Sequence, residues 1–184
     1  MKQQLGIYFV LFMIGMGVGF AFTPEYAQMR LEKQIPMSEL GDADAFLDLR
    51  YVNAMIAHHM SAIYMAEQAL KQSQRPEIIE LAQVIIETDQ RGIDQLYENK
   101  RAWYGDTKKV QVYEKKQLGT ADELFDLRFI NALLVHHQMA IESAREVSQK
   151  STRNEVLTLA DEVETNLSAS ILQLKNWRVR WYEN

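Results

Sequence analysis

The chain has no cysteine, which excludes disulfides, thiolate zinc sites, iron–sulfur clusters and cysteine nucleophiles. Proline is scarce, three in 184 residues, and five of the eight glycines precede residue 42. The remainder therefore has few breakers and predicts long helices. Neither GxGxxG nor a Walker pattern occurs, so a glycine loop cradling phosphate is excluded. Basic charge is not in excess: the net charge of -5 argues against a nucleic-acid partner. Apolar residues, at 47%, are too abundant for general disorder. The length suits one domain with a real core.

Residues 5–22 form a run without charge, 18 residues long, which is just enough to span a bilayer. Gly6, Gly15, Gly17 and Gly19 lie in it, a frequency that fits a membrane helix better than a soluble one. Lys2 precedes the run and Glu25 follows it, so the N-terminus is expected in the cytoplasm and the rest in the periplasm or outside the cell. Gly19 and Ala21 offer small residues for signal cleavage, but Phe20, Phe22 and Pro24 make a poor junction. The reading is a retained transmembrane anchor over 1–24, then a linker over 25–41. Gly15 and Gly19 form a GxxxG step, a possible dimer face.

The remainder is an internal repeat. An offset of 78 aligns residues 48–104 with 126–182 without a gap, and about 20 of the 57 positions are identical. The run from Asp48 to His59 matches that from Asp126 to His137, and Trp103-Tyr104 matches Trp181-Tyr182. Each repeat reads as two helices. Val52, Ile56, His59, Ile63, Ala66 and Leu70 mark a stripe on the first helix; Ile78, Leu81, Ile85, Thr88 or Asp89, and Leu96 mark one on its partner. Thr120 with Glu123, and Thr152 with Glu155, read as capping boxes; Pro76 suits a first helical turn. Two such hairpins, over 42–105 and 120–184 with a crossover over 106–119, predict an all-α antiparallel four-helix bundle with a pseudo-twofold axis. The two Trp-Tyr pairs are expected to close one end of it.

All four histidines fall in two equivalent pairs, His58-His59 and His136-His137. Adjacent helical residues point about 100° apart, so one histidine of each pair faces the core and the other flanks it. His59 and His137 lie on the expected stripes. Four of the nine methionines, Met55, Met60, Met65 and Met139, surround the pairs. Imidazole with thioether suits soft or borderline metals, above all Cu(I). The competing reading is bland: core histidines hydrogen-bonded in place, with methionine as gap filler. Asp48 and Asp126, three turns before the second histidines, read as ligands, as orienters of ligands or as first-turn acids complementing the helix dipole. No glutamate stands three residues before a histidine, which argues against a di-iron carboxylate centre.

The stretch Asp48 to Ala66, with Met55, His58, His59, Ala62, Ile63 and Met65, resembles domain-of-unknown-function family 305. Asp126, Phe129, His136, His137, Gln138, Ala140, Ile141 and Ala144 supply a second copy. The resemblance implies a ferritin-like four-helix bundle, commonly exported or membrane-anchored, with some members similar to periplasmic copper-binding resistance proteins that hold Cu(I) or Ag(I). This chain departs from the pattern: Gly92 and Leu96, and in the second repeat Ser168, Ser170 and Leu174, replace residues the family usually has. Ser143 and Leu133 stand where methionine is expected. Repeat one is thus expected to be the better site.

These features lead to an expected function: a membrane-anchored extracytoplasmic metal-binding protein, not an enzyme. The candidate Cu(I) ligands are His58, His59, Met65, His136 and His137, with Met55, Met60 and Met139 around them. A structural or interaction bundle with degenerate metal sites is the alternative. Metal affinity is expected to fall below about pH 6.5, where free imidazole takes a proton.

Overall fold

The computed structural model describes residues 40–112 and 115–183. The anchor expected over 1–24, the linker as far as residue 39, and Asn184 lie outside the described residues. Within them every regular element is an α-helix: α1 (Leu47–Gln72), α2 (Pro76–Tyr104), α3 (Phe125–Lys150) and α4 (Asn154–Tyr182). None of these helices is long and apolar enough to cross a membrane. The lengths repeat in pairs, 26 then 29 residues, as the duplication requires.

Each hairpin packs on itself, α1 on α2 and α3 on α4, and the two hairpins join through α1 against α3. The start of α1 meets the end of α3, since Asp48 accepts hydrogen bonds from Ser151 Oγ (2.6 Å) and Arg153 Nε (3.1 Å). The central pair is therefore antiparallel, and the pseudo-twofold axis crosses the bundle rather than running along it. This corrects the expectation for the aromatic pairs. Arg153 lies over the Trp103 ring at one end. At the opposite end Arg75 lies over Trp181 and pairs with Asp126. One Trp-Tyr pair closes each end. Asp48 and Asp126 are first-turn acids held by an arginine from the other hairpin, a placement that also favours the helix dipole.

The expected capping boxes do not form. α3 starts at Phe125 and α4 at Asn154, with Leu124 and Arg153 as N-caps and no side-chain cap bond. The turns before the helices consume the polar side chains instead. Asp44 accepts from the Phe46 N–H and Asp122 from the Leu124 N–H; Ser73 and Ser151 accept from Arg75 and Arg153 two residues on, in the manner of Asx and Ser/Thr turns. Pro76 does occupy the first turn of α2. Gly41 and Gly119 hold equivalent left-handed turns, φ +75° and +84°. Behind each, an arginine Nε donates to the preceding carbonyl: Arg50 to Leu40 (2.5 Å) and Arg128 to Leu118 (2.6 Å). Leu40 is buried, so packing begins just ahead of residue 42.

The crossover is irregular but tied down. Buried Lys100 donates to Asn53 Oδ1 and the Lys108 carbonyl and pairs with Asp106. Val110 N–H donates to Tyr97 Oη, and Gln68 bridges Lys116 and Leu118. The apolar core divides into two clusters. One holds Met65, Ala66, Ile78, Phe125 and Phe129. The other holds Tyr51, Met55, Ile56, Ala140 and Val147. Both clusters draw on α1 and α3, and the histidine positions fall between their segments on those helices.

Candidate metal centre

The sequence places His58 and His136 at equivalent positions, and the antiparallel crossing of α1 and α3 brings them together at the pseudo-twofold axis. Their rings stack with centroids 3.6 Å apart and planes 22° from parallel. His59 sits 5.9 Å from His58, and His137 6.1 Å from His136. Four imidazoles therefore gather in one layer, with His58 stacked on His136 and His59 and His137 each beside its neighbour.

The expected stripe is partly wrong in repeat one. There the core histidine is His58, 7% exposed, while the His59 side chain is 19% exposed against α2. In repeat two His137 is buried, 5% exposed. Leu70 also leaves the stripe for the surface. His58 is interior because its ring stacks on His136 across the α1–α3 contact.

Hydrogen bonding assigns part of the layer. His58 Nε2 lies 3.2 Å from the His136 carbonyl oxygen. A carbonyl only accepts, so Nε2 carries the proton and the His58 lone pair is on Nδ1. That Nδ1 is buried without a protein partner, as are both ring nitrogens of His136 and Nδ1 of His137. His137 Nε2 is 3.0 Å from Ser170 Oγ. His59 Nδ1 is 3.2 Å from Asp89 Oδ1, yet out of line for a hydrogen bond and so also unpartnered. Buried polar atoms normally find partners; here five imidazole nitrogens in one layer do not. Vacant lone pairs on buried neutral imidazoles are what a metal ligand set needs.

Burial also keeps three of the rings neutral. It pushes His58 well below the ordinary imidazole value, with His136 and His59 repelling further charge. Burial brings His136 to about 3, aided by His137. His137 falls to about 4 for the same reason, opposed by the Asp89 carboxylate. Desolvation of the cation dominates in each. The expectation that protons compete below pH 6.5 is thus corrected for these three rings: competition starts lower.

The sulfur atoms divide. Met55 and Met65 are buried, one in each apolar cluster. Met60 is exposed and Met139 half-buried. Among the described residues, no three histidine, aspartate or glutamate side chains form a ready-made metal group. The stack explains part of this. Imidazole lone pairs lie in the ring plane, so His58 and His136 show each other faces rather than donors. A metal held by both requires one ring to turn.

Sequence reasoning missed Asp89 as a partner of His59 and Ser170 as a partner of His137. One signal was available: under the 78-residue offset Asp89 aligns with Leu167 and Gly92 with Ser170, so the repeats part company at the second-helix positions facing the histidines. Gly92 matters sterically. A Cβ there would lie 3.0 Å from His59 Nε2, closer than the ring tolerates without shifting. His59 and Gly92 open onto a groove of about 330 Å³ between α2 and α4, lined also by Gln95, Asn99, Glu155 and Glu162.

Four packed helices enclosing a buried imidazole layer define an all-helical bundle. The chain belongs to the family described as Domain of unknown function (DUF305), whose profile matches residues 31–124 and 126–184. No curated protein matches it. Among solved structures it is similar to CopM in the Cu(I)-bound form, with 32% identity, a TM-score of 0.65, and 72% of this chain and 95% of that one covered. It is likewise similar to CopM in the Cu(II)-bound form, with 30% identity, a TM-score of 0.64, and 73% and 97% covered. For CopM in the Ag-bound form obtained by co-crystallization the values are 30%, 0.65, 77% and 98%.

Proposed function

We propose that this chain binds copper, as Cu(I), through His58, His59, His136 and His137 with Met65 and Met55 as sulfur donors. Met60 and Met139 act at the periphery of the site. The protein buffers the ion or passes it on, without catalysis, from a position outside the cytoplasm where residues 1–24 tether it to the membrane. The observation that carries this reading is the layer of buried neutral imidazoles with unpartnered nitrogens. The donor chemistry agrees: nitrogen and thioether favour Cu(I) over hard cations. The likeness to CopM, solved with Cu(I), Cu(II) and silver, supports the same class of ion.

The test is an anaerobic Cu(I) titration of the full chain against a competing chelator. Wild type should compete, and the His58→Ala/His59→Ala double variant should bind at least about tenfold more weakly. Unchanged affinity in the double variant sinks the ligand assignment.

A second reading has its own observation. The His58–His136 stack and the His137–Ser170 contact are packing interactions that need no metal. In a purely structural bundle, copper leaves the melting temperature unchanged, whereas a ligand that prefers the native state raises it.

A further inference from the structure

We infer that the two repeats have parted in role: repeat one takes up the metal through His59 Nε2 in the α2–α4 groove, while repeat two has tied off the equivalent nitrogen of His137. This rests on the copper reading above and names how the ion reaches the site.

Three features around His59 carry it. Asp89 stands 3.2 Å from His59 Nδ1. A small turn of ring or carboxylate aligns the pair, placing the proton on Nδ1 and the lone pair on Nε2. A carboxylate beyond a ligating histidine commonly fixes its tautomer and raises its basicity in this way. Gly92 then supplies clearance, since any Cβ at that position would press on Nε2 at 3.0 Å. The groove onto which both residues open carries two carboxylates, Glu155 and Glu162, which raise the local concentration of cations.

The first two are reversed in repeat two. Leu167 replaces Asp89, so no acid on α4 stands at the matching position. Ser170 replaces Gly92, and its hydroxyl holds His137 Nε2 at 3.0 Å. His137 is also the more buried ring. His59 neighbours His58, which stacks on His136, giving an ion that enters at the groove a short step to the interior nitrogens. Asp89 is a positioning residue here, acting through His59.

The experiment uses the full chain with ¹⁵N-labelled histidine, read by long-range proton–nitrogen NMR during anaerobic addition of Cu(I), beside the chelator competition. In the metal-free wild type, His59 should be the Nδ1–H tautomer. Its Nε2 signal should be the first of the four histidines to move. Asp89→Asn keeps the size of the side chain and should mix the His59 tautomers, with affinity lowered about ten- to a hundredfold. Gly92→Ser, which copies repeat two, should lower affinity similarly. Ser170→Gly should leave the first equivalent unchanged. First shifts at His136 or His137 overturn the inference while leaving copper binding intact. So do Asp89→Asn and Gly92→Ser variants that each bind within about twofold of wild type. Absence of any copper-induced shift in wild type overturns the copper reading, and the inference with it.

Discussion

Repeat one and repeat two fold alike and differ where chemistry would occur. The contacts that close the ends occur in both: the arginine anchors Arg50 and Arg128, the cross-hairpin pairs Arg153–Asp48 and Arg75–Asp126, and the tryptophans beneath them. Around the imidazoles the pairs diverge, Met55 against Leu133, Met65 against Ser143, Asp89 against Leu167 and Gly92 against Ser170. The frame tolerates that divergence because it is held at its ends, away from the histidine layer. A duplicated scaffold can thus lose or modify one half of a site without losing the fold.

The largest expected effect tests where the repeats remain alike. His58, His136 and His137 are held neutral in the native state and take protons near pH 6.5 when unfolded. Their contribution is present in full above that pH. It is lost on acidification at about 1.4 kcal/mol per pH unit per histidine, down toward pH 3 to 4 for His136 and His137. Chemical denaturation of the metal-free protein from pH 7 to 4 should show the loss, on the order of 10 kcal/mol if the three shares add and so enough to unfold the chain. His136→Gln should remove one share of the slope. A slope identical to wild type would contradict the buried neutral state.

The next prediction separates the repeats. His58→Ala/His59→Ala should weaken Cu(I) binding by at least about tenfold, and His136→Ala/His137→Ala by less, as read by chelator competition. Equal losses would erase the proposed difference between the halves.

Smaller is the difference between the two end clamps. Arg153 lies 3.1 Å from Asp48, which also accepts from Ser151, whereas Arg75 lies 3.4 Å from an Asp126 whose Oδ1 has no partner. Arg153→Ala should cost about 1–2 kcal/mol from the lost ion pair and the contact over Trp103. Arg75→Ala should cost less, and urea midpoints rank the two.

The smallest effects come from removing two buried hydroxyls, one in each repeat. Tyr51 and Ser143 each bury a hydroxyl without a partner, and Tyr51 aligns with Phe129. Tyr51→Phe and Ser143→Ala should each be neutral or stabilising by about 1 kcal/mol, again by urea denaturation. A clear loss in either variant would reveal a partner for that hydroxyl.

Much of this was legible in the residues themselves. The offset of 78, with Pro76 and Gly105 bounding a helix, gave four helices and their pairing into hairpins, because local spacing and helix stops are written in the chain. Concentration of all four histidines in two equivalent pairs marked the layer. The helix starts were harder, since Asp122 and Ser151 have more than one backbone or side-chain partner within reach and the turn captured them.

The sequence by itself determined the class of fold, the duplication and the residue types of the site, since these follow from periodicity and from which side chains carry lone pairs. Only the tertiary structure decided that α1 and α3 cross antiparallel, and so that equivalent histidines stack while the aromatic pairs part to opposite ends. It also decided that His58 rather than His59 faces the core, and that Asp89, Gly92 and Ser170 stand against the outer rings. The physical reason is that a helix fixes the angle between its own residues, while which direction becomes interior depends on the neighbours packed around it.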